Sequence, residues 1–179
     1  MILSKPDSDF NNNPRRQQEL RLRPTADEIY RFIFGPDIEI ERFDREAILD
    51  KRFAIDLQIR LRTGQILLGQ EKFLSAIYRR FNSLTVEYMQ NVSEKGDWFK
   101  LAPQLYFTGY ESDNGFYPWI LVNWPALVIA NHQKELRWHN GQNQDSHAQA
   151  SFRWIDINDI PEWCVIAKSS GRVAPAKKG

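Results

Sequence analysis

A single cysteine, Cys164, stands in the 179-residue chain, which excludes an intrachain disulfide and a multi-cysteine metal site. It lies in the apolar run Trp163-Cys164-Val165-Ile166, where a packed core thiol is expected rather than a nucleophile. An excess of one charge is also lacking. The formal net charge is +1, so the protein is no polycation, and nucleic-acid binding would need locally clustered positive charge. No apolar run approaches the length of about 20 residues that spans a membrane. The opening MILSKPDSDFNNN has no apolar signal-peptide core, so a cytoplasmic protein without membrane contact is expected. His132, His139 and His147 keep no recognised metal spacing, and no internal repeat is present.

What is present is apolar and aromatic. A hydrophobic fraction of 42% and an aromatic fraction of 13% argue for a packed domain and against disorder. The length suits one such domain. Residues 1–23, Asn- and Arg-rich and broken by Pro6 and Pro14, read as a flexible N-terminal arm; 24–168 read as a single domain and 169–179 as a flexible tail.

Within the domain, Thr25 and Glu28 make a capping box for a helix, ADEIYRFIF, that buries Ile29, Phe32 and Ile33 and stops at Gly35-Pro36. A short strand follows in Asp37 to Phe43, and Asp44 caps a second helix, REAILDKR. Beyond the central hairpin described next, Leu84 to Gln90 reads as a strand. Asp97 reads as the N-cap of a helix, WFKLAPQLYFTGY, kinked at Pro103. In WILVNWPALVIA the first half fits a buried strand that Pro125 must end or bulge. Glu135 to Asn140 and Gln149 to Ile157 read as a C-terminal β-hairpin, and WCVIA as a last strand. The expected class is α+β, with a mixed central sheet flanked by helices.

The stretch that organises the rest is FAIDLQIRLRTGQILLGQEKFL, from Phe53 to Leu74. Two apolar runs are joined by Arg62-Thr63-Gly64, a hairpin connection. Ile55, Leu57, Ile59 and Leu61 alternate with Asp56, Gln58, Arg60 and Arg62, one face apolar and one polar. On the second run Gln70 and Lys72 share a side and Glu71 takes the other. An acid on one strand then stands beside an amide and an amine on its neighbour. A carboxylate so placed binds a hard divalent cation through oxygen, and a lysine beside it orients water and offsets charge on a phosphorane-like transition state. A plain cross-strand ion pair between Asp56 and Lys72 is the competing reading of the same residues.

This arrangement resembles the PD-(D/E)XK nuclease superfamily, whose core runs helix, three antiparallel strands, helix, strand, with an acid on the second strand and (D/E)-x-K on the third. Ile55-Asp56 matches the first motif, and Gln70-Glu71-Lys72 matches the second with glutamine in the acid's place. The resemblance covers roughly Asp44 to Ala130. It implies a restriction-endonuclease-like core and metal-dependent hydrolysis of DNA phosphodiesters, with Mg²⁺ (or Mn²⁺) at Asp56 and Gln70 and Lys72 completing the catalytic set. Glu46 or Asp50 would fall at the acid of the family's first helix. Gln104 and Tyr106 look similar to a Gln-and-Tyr motif on its later helix, and Glu87 is the nearest replacement for the missing acid. Glu71 is auxiliary, through its backbone carbonyl more than its side chain. Arg79, Arg80, Arg15 and Arg16 are expected to hold the nucleic-acid backbone. The resemblance also implies a homodimer. The alternative function is a nuclease-fold protein without catalysis that serves as a nucleic-acid-binding or assembly module.

Overall fold

The computed structural model describes residues 14–43, 48–89, 94–142 and 150–169. Two sheets and few helices make an α+β protein. Helix α1 spans Pro14–Phe34, strand β1 Glu39–Arg42, helix α2 Ile48–Phe53, β2 Leu57–Arg60 and β3 Ile66–Leu74. A 3-10 helix, Ala76–Phe81, leads to β4, Ser83–Met89. Then come β5 Leu105–Ser112, β6 Gly115–Asn123, helix α3 Trp124–His132, β7 His139–Gln142, β8 Ser151–Asp156 and β9 Val165–Lys168.

The large sheet is mixed and has six strands, in the order β1-β2-β3-β5-β6-β9. β1, β2 and β3 form an antiparallel meander, with Arg42 opposite Leu57 and Leu57 opposite Gly69. β3 and β5 are parallel, so that Gln70 faces Tyr106 and Lys72 faces Thr108. The chain between them supplies β4, which joins β8 and β7 in a second, three-stranded antiparallel sheet. The expected C-terminal hairpin is β7 and β8, although its first strand begins at His139 and its loop, 143–149, lies outside the described residues.

Alternation along the central strands separates two cores. One face of the large sheet packs Leu57, Ile59, Leu105, Phe107 and Leu121 under Leu22, Ala26 and Tyr30 of α1. The other presents Tyr106, Ile120 and Val122 to Leu84, Val86 and Ile155 of the second sheet and to Leu127 of α3. Two tyrosines stitch these layers together: Tyr106 Oη donates to the Thr85 carbonyl (2.8 Å) and Tyr110 Oη to the Ser83 carbonyl (2.8 Å). Cys164 is fully buried in this second core.

Three expectations are corrected here. The first helix begins at Pro14, not after Thr25, so residues 14–23 belong to it. Pro14 suits a first helical turn, where the missing N–H has no partner to lose. Pro24 sits inside the helix at a cost of about 3 kcal/mol, offset by the burial of Leu22, Ala26 and Tyr30 at intervals of four. That phase turns Phe32 outward, 86% exposed, instead of into the core.

The helix expected over Asp97 to Tyr110 is absent. Asp97–Phe99 is a single 3-10 turn, and Leu105–Ser112 is the central strand β5. Its first six residues are all buried, and a strand buried on both faces reads like a buried helix. Finally, WILVNWPALVIA divides at Asn123. Its first half is strand, as expected, but Asn123 Oδ1 accepts from Ala126 N (3.1 Å) and caps α3, which has Pro125 in its first turn.

Candidate active site

Asp56 owes its position to the end of α2. The helix stops at Phe53, and Ala54 takes a left-handed conformation (φ 47°), a strained choice for a residue with a Cβ. The chain then turns at once into β2. Asp56 N donates to the Gly69 carbonyl at 2.8 Å, and Glu71 N donates to Asp56 Oδ2 at 2.9 Å. The carboxylate is therefore pinned against β3 at Gln70-Glu71.

The side chains of β3 then divide. Glu71 points to the α1 face, where Arg42 donates to both of its oxygens, Nε to Oε2 and Nη2 to Oε1, each at 2.9 Å. Arg42 Nη2 also donates to Asp27 Oδ1 (2.7 Å), and Tyr30 Oη to Glu71 Oε1 (3.2 Å). Burial works against the Arg42 charge, but hydrogen bonds and charge from Glu71 and Asp27 outweigh it and hold its pKa above the ordinary arginine value. Burial, with the Glu71 carboxylate beside it, pushes the Tyr30 hydroxyl well up. This carboxylate is held by fork geometry and is fully engaged.

Gln70 and Lys72 line a cleft of about 270 Å³ that Glu71 and Arg42 also border. Its lining carries the acids Glu19, Asp50, Asp56, Glu71, Glu87 and Asp97 together with the bases Arg16, Arg23, Arg42 and Lys72. Burial pushes the Asp56 carboxyl up to about 7, with the negative charges of Asp50, Glu71 and Asp97 adding to it, against the lowering effect of the Glu71 N–H. Burial together with the positive charges of Arg42 and Arg16 lowers the Arg23 guanidinium. Gln70 is 8% exposed, and its Oε1 is buried without a hydrogen-bond partner among the described residues. An unsatisfied carbonyl oxygen costs about 1–3 kcal/mol, so a group that supplies a partner would stabilise the site.

These features test the fit of a metal ion. Among the described residues no three His, Cys, Asp or Glu side chains group in a way that could hold one, which does not match zinc's four-ligand sites. Mg²⁺ keeps several waters and takes only one or two carboxylates from a protein. One raised carboxylate and one carbonyl oxygen without a partner among the described residues, in a cleft lined by five further acids, fit such an ion. Asp56 and Gln70 would hold it.

The other expected residues fall as follows. Asp50 and Glu87 line the cleft, and so does Arg16. Glu46 lies outside the described residues, as does the side chain of Arg15. Gln104 extends the ladder between β3 and β5, with its Oε1 accepting from Leu68 N (2.6 Å), and it does not line the cleft. Tyr106 is buried between the sheets, and Arg79 and Arg80 sit on the exposed 3-10 helix away from the cleft lining. The motif expected on a helix is thus on a strand, in a packing role. Comparison with protein-family models, with curated proteins and with solved structures finds no match to this chain.

Asp97 at the cleft was not expected from the sequence, whereas Arg23 belongs to the basic N-terminal run, with Arg15, Arg16 and Arg21, in which phosphate contact was an option. Asp97 looked like a helix cap, and only the path of the chain after β4 brings it back to the site. Arg23 had a signal, since it follows Arg16 by two helical turns and shares its side of α1.

Proposed function

We propose that the cleft hydrolyses phosphodiester bonds of DNA with the help of Mg²⁺ (or Mn²⁺), on a restriction-endonuclease-like core. The observation that carries this reading is the meeting of Asp56, Gln70 and Lys72 in one cleft, with the Gln70 oxygen buried and unpartnered among the described residues. A helix precedes an antiparallel meander of three strands, with the short helix α2 inserted between the first two, the acid leading the second strand and Gln-x-Lys on the third, and this supports the fold assignment. The connection from β3 to β5 departs from the family pattern, carrying a 3-10 helix and β4 where that pattern has an α-helix.

Asp56 and Gln70 offer oxygens to the ion. When bound, such an ion offsets charge on the phosphate and lowers the pKa of a water. Lys72 orients the attacking water and offsets charge that grows in the transition state. Arg16 and Arg23, which line the cleft from α1, hold phosphates of the substrate strand. Burial and neighbouring acids keep Asp56 partly protonated near neutrality, so cation binding displaces a proton and tightens as pH rises through about 7.

Incubation of labelled DNA with the protein and Mg²⁺ or Mn²⁺ tests the proposal. Cleavage is expected from the parent, and Lys72→Ala should lower it at least about 100-fold while DNA affinity in EDTA stays within about threefold. A parent that cleaves neither single- nor double-stranded DNA with either metal would end the enzymatic reading. The second reading, a nucleic-acid-binding module without catalysis, is favoured by the neutral Gln70 and by the absence of a three-residue ligand group among the described residues. It expects metal-independent DNA association that weakens steeply with salt.

A further inference from the structure

Every residue of the 3-10 helix Ala76–Phe81 is exposed. Ile77 is 70% exposed, Tyr78 48% and Phe81 50%, so three large apolar side chains face water in a run of six residues. Burial of these side chains does not hold the segment. Tyr78 N donates to the Ser75 carbonyl and Asn82 N to the Arg79 carbonyl. Asn82, left-handed at φ 44°, then anchors the end: its Nδ2 donates to Asp156 Oδ1 (3.1 Å), and its carbonyl accepts from Ile157 N (2.9 Å). An apolar surface fixed in place by polar bonds has the character of an interaction site.

Its chemistry narrows the partner. The Tyr78 and Phe81 rings are stacked, with centroids 6.5 Å apart and planes 26° from parallel. The Arg80 guanidinium lies 5.0 Å from the Phe81 centroid, Arg79 is its neighbour, and the segment contains no acid. Ring faces interleaved with guanidinium groups suit unpaired bases: aromatic rings stack on any base, and arginines meet the phosphates between them. A duplex hides its base faces. A second copy of this chain, related by a two-fold axis, would set Arg79 and Arg80 against their own counterparts.

The segment also joins the two strands that feed the cleft. Lys72 on β3 precedes Ser75 by three residues, about 10 Å of extended chain, and β4 leaves the segment at Ser83 and carries Glu87 to the cleft. We infer that Tyr78, Phe81 and Arg80 form a stacking platform for unpaired bases, and that the nucleic acid delivered to the cleft is single-stranded where it crosses this segment. This deepens the nuclease reading by naming its substrate class, and it rests on that reading only for what happens in the cleft.

Fluorescence anisotropy with a labelled oligothymidylate and with a duplex of equal length, both in EDTA at low salt, tests the platform. The parent should bind the single strand more tightly. Tyr78→Ala/Phe81→Ala should weaken single-strand binding about tenfold or more and leave duplex binding within about twofold. Arg79→Ala/Arg80→Ala should weaken both and flatten their salt dependence. These residues are exposed, so both variants should unfold at the parent's temperature. Unchanged single-strand affinity in the aromatic variant would overturn the inference, as would equal loss for both probes. Self-association of the parent that the aromatic substitutions abolish would overturn it too, because the patch would then be an interface between copies. A parent that cleaves nothing yet needs Tyr78 and Phe81 for single strands would sink hydrolysis alone. A parent that cleaves through Lys72 while the aromatic variant keeps the parental ratio of single- to double-strand cleavage would sink the platform alone.

Discussion

Two carboxylates meet the same short piece of β3, and their surroundings are opposite. Glu71 reaches the α1 face and is met by Arg42, on both oxygens, and by Tyr30. Asp56 reaches the other side, takes one backbone N–H from Glu71, and is otherwise crowded by burial and by Asp50, Glu71 and Asp97. One is a closed structural device. The other is a buried acid held above its ordinary pKa, beside a Gln70 oxygen that has no hydrogen-bond partner among the described residues. Stored electrostatic strain of this kind collects where a protein binds or reacts. The contrast separates residues that hold the fold from residues to which the proposal assigns a ligand, although Gln70 and Glu71 are adjacent in sequence.

Substitutions on the two sides should therefore act in opposite directions. The largest change in stability is expected from Glu71→Ala. It strands Arg42 in a site where that side chain is 12% exposed, and losing one partner of a buried pair costs about 3–5 kcal/mol. Thermal unfolding should fall by roughly 10 °C or more. A fall of only a degree or two would show that Asp27 alone satisfies Arg42.

Next is Asp56→Asn, measured in EDTA. The folded carboxyl titrates near 7 and the unfolded one near 4, so the folded state holds the extra proton between those values. Stability of the parent should fall as pH rises through that window and then level off. The asparagine variant lacks this loss and should be more stable by about 1–2 kcal/mol above pH 7, with little difference below pH 4. Parallel stability curves for the two proteins would contradict the strained-acid account. Gln70→Glu sharpens the same point: it adds ligand charge and should tighten Mn²⁺ binding about tenfold. It should also lower metal-free stability by about 1 kcal/mol, because a second carboxylate joins a crowded acidic site. The smallest effect is expected from Phe32→Ala, which changes an exposed face of α1 and should cost less than about 0.5 kcal/mol in denaturant titration.

Local patterns were legible in the sequence, and pairings made by the long-range fold were not. The hairpin at Arg62-Thr63-Gly64 declared itself by period-two alternation, and that alternation alone set Gln70 and Lys72 on one side and Glu71 on the other. The C-terminal hairpin and the strand break before Pro125 were readable for similar reasons. β5 was not, because LYFTGY is buried on both faces and carries no alternation to distinguish it from a helix. The extent of α1 was hidden by two prolines: Pro14 fits the first turn, and the cost of Pro24 is offset by contacts of Leu22 and Tyr30 that only the folded sheet provides. Arg42 and Glu71 pair through sheet register, and Asp97 reaches the cleft only after the chain has passed through the second sheet. Nothing in Gln70-Glu71-Lys72 as a string says that the amide oxygen lacks a partner.

The claim at the centre of this account is that Asp56 and Gln70 hold one divalent cation. A Mn²⁺ titration followed by electron paramagnetic resonance tests it directly, comparing the parent with Asp56→Asn, Gln70→Ala and the distant surface variant Glu162→Gln. One bound ion is expected in the parent and in Glu162→Gln, with affinity reduced at least about tenfold in each of the two cleft variants. Absence of bound Mn²⁺ in the parent, or equal affinity in all four proteins, would contradict it.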